Sequence, residues 1–147
     1  MLSPQSEKII VQIFTTTAQF ERSIDITRQV MAEVKAFEAA TAFQRFDKDH
    51  KGFLTPEDLL DFLKTNCYEN EEIRGITLDE CKLCIDQYDD DRDGSLSYQE
   101  FLYLVLPARD AVMRKRILSR PSYVLETGVK LPFDVEYALV TIISKEI

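Results

Sequence analysis

Residues 89–100 read DDDRDGSLSYQE, and their spacing decides the fold. Asp89, Asp91 and Asp93 take the first, third and fifth places, Gly94 the sixth, Ser95 the seventh, Ser97 the ninth and Glu100 the twelfth. A hard cation of calcium's size takes roughly six to eight oxygens, and a chain supplies them locally by curling round the ion with alternate side chains turned inward. Gly94 permits the sharp turn. Glu100 closes the shell with two oxygens from the first turn of the next helix, while the Ser95 carbonyl and a water held by Ser97 complete it. Leu96 points the other way, into the core. An Asp-rich run is by itself only a solvated turn, but a random run would not also place the glycine and the closing glutamate. The expected ligand is Ca2+, with Mg2+ able to use the same oxygens at higher concentration.

Both flanks carry a core face. Cys81, Cys84, Ile85 and Tyr88 precede the loop at helical spacing, and Phe101, Leu104 and Val105 follow it in the same way. Together these residues resemble the EF-hand superfamily, the calmodulin and centrin class of helix–loop–helix calcium proteins. The resemblance implies an all-α fold of paired EF-hands, because such loops meet in a short two-stranded contact. The partner is legible upstream: Ala39, Ala42, Phe43 and Phe46 enter a second loop, DKDHKGFLTPED at residues 47–58. Asp47, Asp49 and Gly52 match, but the fifth place is Lys51, a cation where an oxygen is needed. The twelfth is Asp58, one methylene short of glutamate. This loop is expected to fold without calcium and to serve structurally. Leu54 and Leu96, at the matching eighth places, should meet where the loops pair. Thr55, Pro56 and Asp58 make a helix start, and Leu59, Phe62 and Leu63 the core face after it.

Three segments follow: an N-terminal helical segment at residues 1–36, the EF-hand pair at 37–106, and a basic helix, extended loop and terminal helix at 107–147. The 147 residues suffice for a real core. The pair holds seventeen acids against seven bases, a balance of −10 against −8 for the whole chain. Nucleic acid is therefore not the expected partner. Three cysteines suggest a reducing compartment, and neither a leader pattern nor an apolar run of spanning length is visible. The expectation is a soluble, intracellular, cytoplasmic protein.

No Gly or Pro between Gln5 and Lys51 forces a helix break before the first loop, although the Thr15–Thr17 run allows one near Ser23. Ile10, Ile13, Thr17, Phe20, Ile24, Thr27, Met31 and Val34 form a long N-terminal stripe with coiled-coil steps. It suits either a homodimer through this helix or, the preferred alternative, packing on the hands of the same chain. The linker 65–76 is long enough for an extra turn, and Thr77 with Glu80 reads as a capping box. Cys81 and Cys84 form a CxxC, but on a core face and without a second pair; they read as buried hydrophobes rather than a zinc or redox site. His50 falls in the defective loop and should be solvated.

Beyond Pro107, Arg109, Arg114, Lys115, Arg116 and Arg120 mix with Ala111, Val112, Ile117 and Leu118. Such a helix is a solvated face, a docking patch for an acidic partner, or a ligand for the hands. After an extended stretch from Pro121 to Pro132, turned at Gly128, a terminal helix with Val135, Ala138, Leu139, Ile142 and Ile143 on one face is expected, capped by Asp134. Without a C-cap at Ile147, that helix is either pinned by packing or continued in a longer parent. The run RPSYVLETGVKLPFDVEYAL at residues 120–139 resembles a segment following EF-hand pairs in large protist proteins, some of cilia. The expected function is a non-catalytic calcium-binding adaptor or structural subunit on one fixed protein scaffold or filament, with a cytoskeletal or ciliary (axonemal) setting. A sensor whose groove is occupied by its own flanks is the alternative, and a regulatory fragment of a larger enzyme a third. No methionine lies in the pair to make an adaptable groove. A single histidine and the absence of a phosphate loop argue against an enzyme.

Overall fold

The computed structural model describes residues 23–66, 70–108, 110–123 and 130–147. Among these the fold is all-α, with eight helices and one minimal sheet. Helix α1 is described over residues 23–32. It is followed by α2 (Ala39–Phe46), β1 (Phe53–Leu54), α3 (Pro56–Thr65), α4 (Glu71–Arg74), α5 (Leu78–Tyr88), β2 (Leu96–Ser97), α6 (Tyr98–Val105), α7 (Ala111–Leu118) and α8 (Phe133–Lys145). No helix of the described residues is long and apolar enough to cross a membrane.

Two helix–loop–helix units, α2–α3 and α5–α6, face each other through their loops. Strands β1 and β2 pair antiparallel with Phe53 opposite Ser97 and Leu54 opposite Leu96, and both leucines are fully buried. The register places the eighth residue of each loop against its counterpart, as their positions imply. Helix α3 packs on α5, α2 on α6, and α5 on α6. Phe46 meets Phe62 at 4.3 Å and Phe101 at 5.7 Å between ring centroids, and Phe43 meets Phe101 edge-on at 5.4 Å. Aromatic rings from three helices thus fill the centre, each contributing about 0.5–1.5 kcal/mol per ring pair beyond its buried area.

Three helices of the pair start with reciprocal capping boxes: Thr55 with Asp58, Thr77 with Glu80, and Ser97 with Glu100. The linker carries the extra turn as α4, capped by Asn70. Helix α2 is capped by Glu38, whose carboxylate accepts from the Ala40 and Thr41 amides. The chain does break before the first loop, between α1 and α2. No glycine or proline marks this turn, whose carbonyls are held by local amides and also from a distance. Arg120 donates to the carbonyls of Ala32, Val34 and Phe37 at 2.8–3.0 Å.

The described part of the N-terminal stripe packs inside the chain: Ile24 and Met31 are buried, and Val34 is partly so against the same core. Ile10, Ile13, Thr17 and Phe20 lie outside the described residues, as do Cys67, Arg109 and Gly128. Helix α7 is mostly solvated but seats Ile117 in the core, and Arg114 lies over the Tyr103 ring at 5.6 Å. Helix α8 forms with the expected face: Val135, Ala138, Leu139, Ile142 and Ile143 are all buried, and it contacts α6. Its start departs from expectation. Pro132 occupies the N-cap with no side-chain hydrogen bond, and Asp134 sits inside the first turn. Proline already sets an extended entry, so Asp134 acts through the helix dipole instead. At the other end Glu146 is buried, so α8 is pinned by packing.

Candidate metal centre

Both loops follow one backbone path, built by hydrogen bonds within the loop. In residues 89–100, Asp89 accepts from the Asp93 amide at 3.2 Å and the Gly94 amide at 2.8 Å. In residues 47–58, Asp47 accepts from the amides of Lys51 and Gly52 at 3.0 and 2.7 Å. The first carboxylate of each loop thus ties down the fifth and sixth amides. Gly52 and Gly94 have φ of 88° and 82°, and at the fourth places His50 and Arg92 have φ of 54° and 55°. Left-handed backbone in two non-glycine residues costs of order 1–2 kcal/mol each, which the shared amide ties offset. His50 is exposed, as expected.

The loops differ in what their side chains surround. Oxygens of Asp89, Asp91, Asp93 and Glu100 all lie within 4.8 Å of one another, a spread of about two calcium–oxygen bonds. Asp89 and Glu100 are buried, whereas Asp91 and Asp93 face solvent. Glu100 accepts from the Asp90 amide at 2.6 Å through Oε2 and from the Ser97 amide at 2.8 Å through Oε1. Ser97 caps α6, and the Ser95 amide and hydroxyl both donate to Asp93 at 3.0 Å. All six expected loop residues, Asp89, Asp91, Asp93, Ser95, Ser97 and Glu100, are therefore drawn into one turn. The crowding has a charge consequence. Asp91 is raised above its ordinary value, first by a hydrogen bond with Asp89, then by desolvation and the charges of Asp93 and Glu100. Asp93 is held below its ordinary value, chiefly by the Ser95 amide. A cation entering here relieves this repulsion, so the donor set fits a hard divalent ion.

Residues 47–58 enclose a cation of their own. Lys51 Nζ lies 3.1 Å from Asp58, 3.4 Å from Asp47 and 3.8 Å from Asp49. Burial pulls Lys51 down, yet Asp58 and Asp47 together hold it above its ordinary value. Asp58 is further engaged in the α3 capping box. The ammonium thus sits among the carboxylates of the first, third and twelfth places, a contact that sequence pattern registers only as a mismatch.

Cys81 and Cys84 are fully buried. Burial, then the neighbouring Glu80, pushes the Cys81 thiol up to about 11. Burial, with Glu146 second, pushes Cys84 up further. Burial thus keeps both as neutral thiols packed in the core.

One buried ion pair has no counterpart in the sequence patterns. Arg45 on α2 donates to Glu136 on α8 at 3.0 Å, with side chains 5% and 1% exposed, and its guanidinium lies over Phe62 at 5.0 Å. Glu136 is raised above its ordinary value by burial, which Arg45 opposes without cancelling. Its Oε2 makes no hydrogen bond of ordinary length with a described residue, although Asn66 and Lys130 lie close enough to favour the charge.

The family comparison bears on the same segment: residues 37–106 match the model of the EF-hand domain pair. Calcium-dependent protein kinase 22 of Oryza sativa subsp. japonica is 33% identical over 82 residues, which are 56% of this chain and 13% of the kinase. The chain thus spans a small part of that relative's length. No solved structure matches significantly. Paired loops, buried leucines in register and a carboxylate ring agree with the family match: residues 37–106 of this chain form an EF-hand domain pair, a calcium-binding unit.

Proposed function

We propose that the chain is a non-catalytic calcium-binding adaptor with one loading loop and one self-filled loop. Asp89, Asp91, Asp93 and Glu100 would hold the ion by side-chain oxygens, Ser95 by its carbonyl and Ser97 through a water. The bound ion supplies positive charge that fixes α5 against α6. The observation that carries this is the contrast between the converging carboxylates of residues 89–100 and the Lys51 ammonium amid those of 47–58. Residues 1–36 and 107–147 are flanks of the pair, and they dock it onto one fixed protein scaffold. Support for a cytoskeletal or ciliary scaffold is the resemblance at residues 120–139. The likeness to a calcium-dependent protein kinase favours a second role, as the regulatory part of a larger enzyme.

Calorimetric titration of the purified chain with calcium, at physiological magnesium, should show a single site. In Glu100→Gln one closing oxygen becomes an amide nitrogen-bearing group. Binding should fall from the sensor range of about 10⁻⁷–10⁻⁵ M toward millimolar. Two sites in the wild type, or an unaltered affinity in the variant, would discard this assignment.

A further inference from the structure

A polar cluster behind the calcium loop ties both flanks to the same helix pair. Arg28 of α1 donates through Nε to the Leu104 carbonyl of α6 and through Nη2 to the Tyr88 hydroxyl of α5, each at 2.8 Å. Tyr88 in turn donates to Glu146 Oε1 at 2.6 Å, and Gln87 donates to the Glu146 carbonyl at 2.6 Å. Arg28 and Glu146 form an ion pair at 3.8 Å, with only 7% and 8% of each residue exposed. Charges this buried persist only where their partners are held.

The placement matters more than the strength. Tyr88 is the residue before Asp89, and Leu104 lies one helical turn beyond Glu100. A single guanidinium thus grips the helix entering the loop and the helix leaving it. A change in the angle between α5 and α6 therefore works against those two bonds. In this clasped arrangement the four loop carboxylates already converge within 4.8 Å, so the clasp and the assembled site coexist.

We propose that Arg28, Tyr88 and Glu146 form a clasp that calcium tightens, the ion binding best when α1 and α8 are locked on the α5–α6 pair. This rests on the assignment of residues 89–100 as the calcium site, and it runs opposite to a sensor in which calcium opens the helix pair. Because linkage is reciprocal, the clasp must strengthen calcium binding by the factor that calcium strengthens the clasp.

Tyr88→Phe removes only the hydroxyl, and Glu146→Gln keeps the side-chain shape. Calorimetric calcium titration of the full chain should show each variant binding about fivefold or more weakly, the lower end of ordinary coupling. Hydrogen exchange at residues 140–147 should slow on adding calcium in the wild type and change less in either variant. Should one variant fail to fold, the other and the wild-type exchange decide. Tighter or unchanged calcium binding in the folded variants, or faster wild-type exchange with calcium, overturns the clasp while leaving the site intact. No calcium heat from the wild type, by contrast, removes the site and the clasp together.

Discussion

Arg45→Ala is expected to destabilise the fold by about 3–5 kcal/mol, the cost of stranding one member of a buried ion pair. Glu136 is 1% exposed and its raised proton affinity already shows burial outweighing the guanidinium beside it. Removing Arg45 deletes the charge that opposes that shift and also strips the cation over Phe62. Glu136 must then rise further above its unfolded value. A carboxyl raised in the folded state binds protons better folded than unfolded. Its contribution is therefore full below the unfolded value of about 4.3 and is lost as pH rises through the folded one. The gap between variant and wild type should accordingly shrink as pH falls from 7 through the raised Glu136 value. Urea unfolding of both proteins across that range measures it. A gap that does not change with pH would show lost packing rather than a stranded charge.

This pair also marks where local pattern stops being informative. The loop at residues 89–100 was legible because its clustered acidic residues lie within twelve positions, so spacing alone encodes the geometry. Capping boxes at Thr55 and Thr77 and the core faces of α5, α6 and α8 were legible for the same reason: each is written in residues one turn apart. Arg45 and Glu136 are separated by 91 positions, and neither breaks the periodicity of its helix. Nothing in either segment shows that one charge answers the other. Arg120 is similar. Its run of bases marks a solvated helix, yet its guanidinium closes the α1–α2 turn 83–88 residues away. Even the break there carries no glycine or proline, since a distant side chain adds to the local turn hydrogen bonds in satisfying its carbonyls. The positive φ of His50 and Arg92 was likewise unmarked, because the loop's amide ties, not the residue type, hold that conformation.

Converting the second loop should double the calcium capacity. Lys51→Asn with Asp58→Glu turns residues 47–58 into DKDHNGFLTPEE, which satisfies the oxygen pattern at the first, third, fifth and twelfth places. The backbone needs no rebuilding: Asp47 already binds the Lys51 and Gly52 amides as Asp89 binds its own pair. Glutamate at position 58 is also the preferred third helical residue of a capping box, so the start of α3 survives. What changes is the occupant. With the ammonium gone, Asp47, Asp49 and the new glutamate face one another unneutralised, and a soluble cation takes the place of a tethered one. Calorimetry should give two sites where the wild type gives one, the second entering the sensor range of about 10⁻⁷–10⁻⁵ M. Stability should become more calcium-dependent, by about 2.7 kcal/mol at a hundredfold excess over the new dissociation constant. Lys51→Asn alone separates the two causes. If the shorter Asp58 is the main defect, the single variant binds no second ion, whereas if the ammonium is the block, a weak second site appears. A double variant that still binds one ion would mean that neither Lys51 nor the short Asp58 is what keeps calcium out of this loop.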